Sequence, residues 1–296
     1  MLSQRQVMVS LALVLCTLPA SAGTLVYVVN NSQQFGTLDL ATGAYQQIGP
    51  NTPEGETGLV PGPNGSLLTL TFSGNLDSIN PATGVTSFVG ATGLADCTTP
   101  GSPCGPTSAN TLGELGGTIY ATDFQNSLYT VDPLTGAATL IGPTGIPAVP
   151  FIPGTTNPDG SFDLFDEGLF GAGGELFATF DAFTLNPMFG TITPVIAPDL
   201  YQIDPSTGLA TLVGPTGLNL GAGAVEVNGA FYDFDDFQSQ VLTLDLANGN
   251  TSFAGSFDPA AGVITGASPT PEPASIALVC IGMAVIVIRS RRRRSS

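Results

Sequence analysis

Between residues 24 and 270 the chain alternates apolar and polar positions in short runs, each ended by glycine or by Asp-Pro. Alternation with a period of two marks strands buried on one face. Leu128–Val131 reads as one such strand, and Thr139–Ile141 as the strand that returns beside it. Asp132-Pro133-Leu134-Thr135-Gly136 joins them with turn chemistry. Proline presets φ, the Asp and Thr side chains bond the backbone, and glycine takes positive φ.

The hairpin recurs. Leu200–Gly217 repeats Leu128–Gly145 almost residue for residue, and Leu76–Gly93, Phe35–Gly49 and Val241–Gly255 are weaker copies. Upstream of each lies another strand introduced by glycine: Gly23–Val29, Gly65–Thr71, Gly117–Thr122, Gly174–Phe180 and Gly229–Phe234. A further glycine-rich apolar run precedes four of these, as in Gly221–Val227. Four strands per unit, with turn glycines about 41 residues apart where nothing is inserted, fit a propeller blade of about 40–45 residues. The pattern predicts an all-β fold, a five-bladed β-propeller over residues 23–268. The first unit lacks its innermost strand, and Ala261–Gly266 supplies it, so N- and C-terminal strands together close the ring. A β-helix or a sandwich accounts less well for the four-strand unit. Wider spacings locate insertions at Cys97–Cys104, Ile146–Ser161 and Ala182–Pro198, the latter two proline-rich and placed to cover one mouth of the ring.

The ends have a different pattern. Residues 1–22 read as a signal helix: Arg5, then apolar Val7–Leu18, then Ala20-Ser21-Ala22 before a cut between Ala22 and Gly23. Cys16 follows Leu15 rather than a small residue, which argues against lipidation. At the other end, residues 269–273 form a stiff proline linker containing Pro271, Glu272 and Pro273. Ala274–Ile288 is uncharged and predicts a transmembrane helix. At a rise of about 1.5 Å per residue it spans about 22 Å, short for a hydrocarbon core of about 30 Å. Residues 289–296 carry Arg289, Arg291, Arg292, Arg293 and Arg294, which belong on the cytoplasmic side.

Pro-Glu-Pro, a short apolar helix and a terminal arginine cluster, in that order, resemble a PEP-CTERM sorting domain. The resemblance covers Pro271–Arg294. It implies that exosortase, a membrane cysteine protease of Gram-negative bacteria, is a processing partner. It also implies transient anchoring in the inner membrane, then transfer to the cell surface or biofilm matrix, where exopolysaccharide or surface proteins are the expected partners.

Composition sharpens the picture of the exported part. Net charge is −17, there is no His, and the six basic residues are Arg5 and the five tail arginines. Gly23–Thr270 therefore has acids and no base. Such a domain forms no side-chain salt bridge and repels nucleic acid. Cys97 and Cys104 sit in a Pro/Gly-rich loop, and an exported compartment predicts a disulfide between them. A Ser-His-Asp triad, a lysine Schiff base and a histidine metal centre are excluded by composition.

Carboxylates remain. Asp163, Asp166, Glu167 and Glu226 are the candidates for a two-carboxyl glycan hydrolase, although the absence of Trp weakens a sugar cleft. Glu114 and Glu226 both stand three residues before a strand glycine, which marks a repeated surface turn. Asp233, Asp235 and Asp236 crowd one hairpin turn and are the candidates for a calcium site, since calcium takes six to eight oxygens. Asp163, Asp166 and Glu167 form a second cluster, and neither has EF-hand spacing. The sequence thus favours a non-catalytic binding or interaction domain, with a carboxylate glycan hydrolase as the alternative.

Overall fold

The computed structural model describes residues 24–94, 109–147, 156–188, 191–217 and 223–270. The expected signal helix, the Cys97–Cys104 disulfide and the expected transmembrane helix lie outside the described residues. Among the described residues no helix is long and apolar enough to cross a membrane.

Leu25–Pro269 forms one compact unit of five four-stranded antiparallel sheets. Blade 1 contributes β1 (Leu25–Asn30), β2 (Phe35–Asp39) and β3 (Tyr45–Gln47). Blade 2 is β4 (Glu56–Pro61), β5 (Leu67–Thr71), β6 (Asn75–Ile79) and β7 (Thr86–Ala91). Blade 3 is β8 (Ala109–Leu115), β9 (Thr118–Asp123), β10 (Ser127–Val131) and β11 (Ala138–Pro143). Blade 4 is taller: β12 (Phe162–Ala172), β13 (Glu175–Asn186), β14 (Thr191–Ile203) and β15 (Ala210–Pro215). Blade 5 is β16 (Val225–Val227), β17 (Ala230–Asp235), β18 (Gln240–Leu244) and β19 (Thr251–Ser256). A short 3-10 turn at Pro259–Ala261 then leads into β20 (Ile264–Pro269), which pairs with β1 and completes blade 1.

The five-bladed propeller and its closure by both ends therefore stand as the pattern predicts. The closing strand starts later than expected, at Ile264 rather than Ala261, because Asp258 caps a turn over Pro259–Ala261. Its last residue, Pro269, pairs with Val26, so the strand uses a residue read above as the start of the linker.

The core is divided among the blade junctions. Val29, Phe35, Leu59, Leu67 and Ile79 join blades 1 and 2. Leu70, Leu76, Leu112 and Ile119 belong to the cluster between blades 2 and 3, and Leu128, Leu169, Leu176 and Phe180 to that between 3 and 4. Phe170, Phe177, Leu200 and Leu244 hold blades 4 and 5, and Val26, Leu38, Phe234 and Ile264 hold 5 and 1. A sheet with one strand row facing each neighbour buries both of its faces only when the ring closes.

The repeated Gly-x-Thr-Gly and Asp-Pro-x-Thr-Gly motifs explain the outer stitching. A Cβ on Gly90 of β7 would lie 1.8 Å from the Thr135 carbonyl oxygen, and one on Gly136 2.6 Å from that of Gly90. The fourth-strand glycine of one blade thus nests on the turn glycine of the next. Gly49 with Gly84, Gly142 with Gly208 and Gly214 with Gly249 repeat this contact. Backbone bonds follow it, from Ala138 N to Thr92 O at 3.0 Å and from Ala210 N to Thr144 O at 2.8 Å.

Candidate functional site

One end of the ring, here the upper face, is where the innermost strands begin and where the second strands turn into the third. In blades 1, 2 and 3 the innermost strand meets the last residue of the second strand at this end: Asn30 pairs with Ile264, Glu56 with Thr71 and Ala109 with Asp123. The polar residues buried in the domain concentrate here.

One set anchors turns. The last residues of β1, β5, β9 and β17 are Asn30, Thr71, Asp123 and Asp235, and all are buried. Asn30 Oδ1 accepts from Ser32 N and Gln34 N, each at 3.0 Å. Asp123 Oδ1 accepts from Gln125 N at 3.0 Å and Ser127 N at 2.8 Å, and its Oδ2 from the Tyr129 hydroxyl at 2.8 Å. Asp235 accepts from Gln238 N at 3.0 Å and Gln238 Nε2 at 2.8 Å. These are side-chain turns of the Asx type, built by residues whose short acceptor reaches two to four residues on.

A second set joins blades. The Asp236 carboxylate accepts from Ile264 N at 3.0 Å, linking blade 5 to β20 of blade 1. Thr265 Oγ1 donates to the Glu56 carbonyl at 2.6 Å, and Thr57 Oγ1 to the Asn110 carbonyl at 2.6 Å. The Asn110 amide donates in turn to Glu167 Oε2. Blades 5, 1, 2, 3 and 4 are thereby tied in sequence around the axis. Burial pushes the Glu167 carboxyl up to about 8, with the neighbouring Asp123 charge adding to the effect. Burial likewise pushes Glu56 up to about 8, helped by the charge of Asp77. In both cases a low-dielectric site disfavours the ionised form.

Blade 4 meets blade 5 differently. Asp166, on β12, faces Asp233 and Asp235 of β17 and Asp236 just beyond. Asp233 is fully buried; its Oδ1 accepts from Phe234 N at 2.7 Å, and its Oδ2 has no partner of hydrogen-bond geometry, with the Thr179 hydroxyl beside it. Asp236 Oδ2 is also without a donor. Burial, then the charge of Asp235, pushes Asp166 up to about 7. Burial holds Asp233 and Asp236 well above the usual carboxylate range.

The hydrolase candidates do not converge. Asp166 and Glu167 are consecutive on β12, and strand alternation sends them to opposite neighbours, blade 5 and blade 3. Asp163 lies further up β12, held by Asn157 Nδ2 at 3.1 Å and Thr184 Oγ1 at 2.7 Å. Glu226 is exposed near the opposite end of blade 5, opposite Phe231. It matches Glu114, opposite Ile119, whose carboxylate accepts from Gly117 N; both are turn positions, as the repeat predicts. The calcium expectation fares similarly. Among the described residues no group of three or more Asp, Glu, Cys or His side chains is arranged to hold a metal ion. Asp235 serves its hairpin turn, Asp236 serves β20, and Asp233 serves its own backbone neighbour.

Sequence reading missed Glu56 and Asn110, each near the start of an innermost strand with no motif around it. It also treated the Asp163–Glu167 and Asp233–Asp236 clusters as separate. The signal that unites them is the blade register, which puts Asp166 and the end of β17 at the same height.

The insertion at Ala182–Pro198 is strand over most of its described residues. It lengthens β13 and β14 into a ribbon on the upper face, with β12 as its third strand. Phe183, buried in the ribbon, meets Phe237 edge-on at 5.2 Å, and Phe165 meets Phe124 of blade 3 edge-on at 5.0 Å.

Fold and motif together define an exported β-propeller protein. Residues 269–293 match the PEP-CTERM protein-sorting motif. That motif implies processing by exosortase, with export and transient membrane anchoring before the surface is reached. No curated protein matches the chain. Among solved structures, a chain of a nidogen/laminin complex is 12% identical, with 82% of this chain and 97% of that one covered and a TM-score of 0.47. Virginiamycin B lyase from Staphylococcus aureus is 12% identical, with 80% and 71% covered and a TM-score of 0.39. A gluconolactonase from Xanthomonas campestris is 9% identical, with 84% and 91% covered and a TM-score of 0.37.

Proposed function

We propose that the propeller is a non-catalytic binding or interaction module, displayed on the cell surface or in the biofilm matrix after its tail has been removed. The observation that carries this reading is the disposition of the carboxyls. Of the hydrolase candidates, Asp166 and Glu167 turn to opposite neighbours, Asp163 is held within blade 4 and Glu226 is exposed near the other end, so they do not converge as paired acid and base groups must. The domain also has no His, Lys or Arg with which to build another kind of catalytic centre. Its acidity suits neutral partners such as uncharged exopolysaccharide, or a basic surface protein, and disfavours nucleic acid.

One preparation tests both parts. Protein recovered from the surface or matrix fraction of an exosortase-positive cell has an intact mass that lacks Ala274–Ser296, and the same gene in a host without exosortase yields the full tail. The recovered protein co-sediments with host exopolysaccharide or a surface protein and releases no new reducing ends from the polysaccharide. Reducing-end release that Asp166→Asn or Glu167→Gln abolishes would replace the binding reading with the hydrolase one. A retained tail would reduce the C-terminus to a permanent anchor.

A further inference from the structure

Four of the five blade junctions are closed at the upper face by a donor on one blade and an acceptor on the next. At the fifth, blade 4 to blade 5, carboxyls face carboxyls. Among the described residues, β12 packs against β8, and β16 against β20. The apolar cluster between these two blades, through Phe170, Ala172, Phe177 and Leu244, lies at the lower end of β12, away from Asp166, and the Phe183–Phe237 edge contact lies above it in the ribbon. Between the two the junction holds Asp166 of β12, Asp233 and Asp235 of β17, Asp236 beyond it, and the Thr179 hydroxyl of β13 beside Asp233. β20 and the adjoining β16 present no basic group, and residues 24–270 contain none.

We propose that protonated carboxyls close the upper half of the blade 4–blade 5 junction, and that it loosens when they ionise. An ionised carboxylate only accepts hydrogen bonds, whereas a carboxylic acid also donates one. Protonation of Asp166, Asp233 or Asp236 thus supplies a donor of the kind that a threonine, an asparagine or the Ile264 N–H supplies at the other junctions. Asp233 Oδ2 is the atom most in need of it, being fully buried and without a donor. Loss of the protons leaves like charges near one another, with Asp233 and Asp235 buried and no basic side chain in residues 24–270 as counter-ion, which is unfavourable by desolvation and by repulsion. Burial pushes Asp166 up to about 7 and holds Asp233 and Asp236 well above the usual carboxylate range, which supports the geometry. Four junctions are then held by bonds that an ionised carboxylate can still accept or that involve none, and one by bonds that need the protons. An acidic matrix holds it rigid, and an alkaline one frees the edges of blades 4 and 5.

Hydrogen exchange of the full-length protein at about pH 5.5 and about pH 8.5, corrected for intrinsic exchange, tests this. Peptides covering Asp166–Phe170 and Ala230–Asp236 should lose at least ~10-fold in protection at the higher pH, since one pKa unit corresponds to a tenfold change in the proton equilibrium. Peptides covering Thr57 and Asn110, at the blade 2–blade 3 junction, should change less. Asp233→Asn, which is neutral at every pH, should keep its protection at pH 8.5. If it fails to fold, Asp166→Asn, at a less buried position, serves instead. Three outcomes overturn the proposal: a pH-independent junction in the wild type, an equal loss at the blade 2–blade 3 junction, or a neutral variant that responds to pH as the wild type does. Full restoration of the wild type at pH 8.5 by millimolar calcium also overturns it, because a metal ion would then be the closing group.

Discussion

A single glycine position separates two kinds of seam in this ring. Gly90 and Gly255 occupy the same place on the outermost strands of blades 2 and 5, in Phe-Val-Gly and Phe-Ala-Gly. A methyl group on Gly90 would sit 1.8 Å from the Thr135 carbonyl oxygen, whereas on Gly255 the nearest atom is the Leu40 carbonyl oxygen at 3.8 Å. Gly90→Ala should therefore cost about 1–3 kcal/mol, the usual range for overpacking, because the obstacle is backbone and cannot turn away. Gly255→Ala should lie within about 0.5 kcal/mol of the wild type, as ordinary substitutions without a steric conflict do. Urea denaturation of the two variants measures the difference, and equal losses would show that the outer stitching contributes nothing. The glycines themselves were legible in the sequence as turn formers. That they recur in pairs because one blade nests on the next was not, since nothing in a linear repeat says which copy touches which.

At the level of strands, blade 4 is the exception that the sequence marked without giving its form. The spacing of the repeats located a proline-rich insertion at Ala182–Pro198, placed to cover one mouth of the ring. Proline is tolerated in sheets at free edges, and Pro194 and Pro198 stand on the part of β14 that extends beyond its pairing with β15. The ribbon persists because Phe183 and Phe165 anchor it to blades 5 and 3 on either side. Phe183→Ala removes a buried aromatic ring, a loss of about 3–5 kcal/mol where it falls on a core. Here the expected result is local: limited proteolysis should cut between Ala182 and Pro198 in the variant while Leu25–Ile79 stays intact. Cleavage throughout the domain would mean that the ribbon supports the whole ring. Fold class, blade count and ring closure could all be read from the repeat, because each blade has the same turn chemistry and strand alternation. The upper-face cluster could not, because its members come from several blades and only the register brings them together.

Charge sets the behaviour of the whole domain. Burial raises Glu56 and Glu167 to about 8 and Asp166 to about 7. These are acids whose folded-state values lie above their unfolded ones. Below about pH 4 both states are protonated and the groups contribute no difference. Above that, the unfolded chain releases protons that the folded domain still holds. Stability therefore falls as pH rises, by up to about 1.4 kcal/mol per unit per group, until the folded values are passed. Thermal unfolding should show a higher Tm near pH 5 than near pH 8, and Glu56→Gln should flatten that slope while raising the Tm at pH 8. A Tm that rises from pH 5 to pH 8 would count against the buried acids. The closing strand has a consequence of another kind. A chain that crosses a membrane N-terminus first presents β1, β2 and β3 early, and β20 only as its last folded segment. Until Ile264–Pro269 is outside, blade 1 has a bare inner edge and the ring is a crescent. The sorting motif begins at Pro269, where that strand ends. On the processing proposed above, a tail stopped in the membrane holds the chain at the moment when the crescent can become a circle, and a cut in the Pro-Glu-Pro motif falls outside every pairing that seals it. Assembly would then be finished before release, with the scissors clear of the clasp.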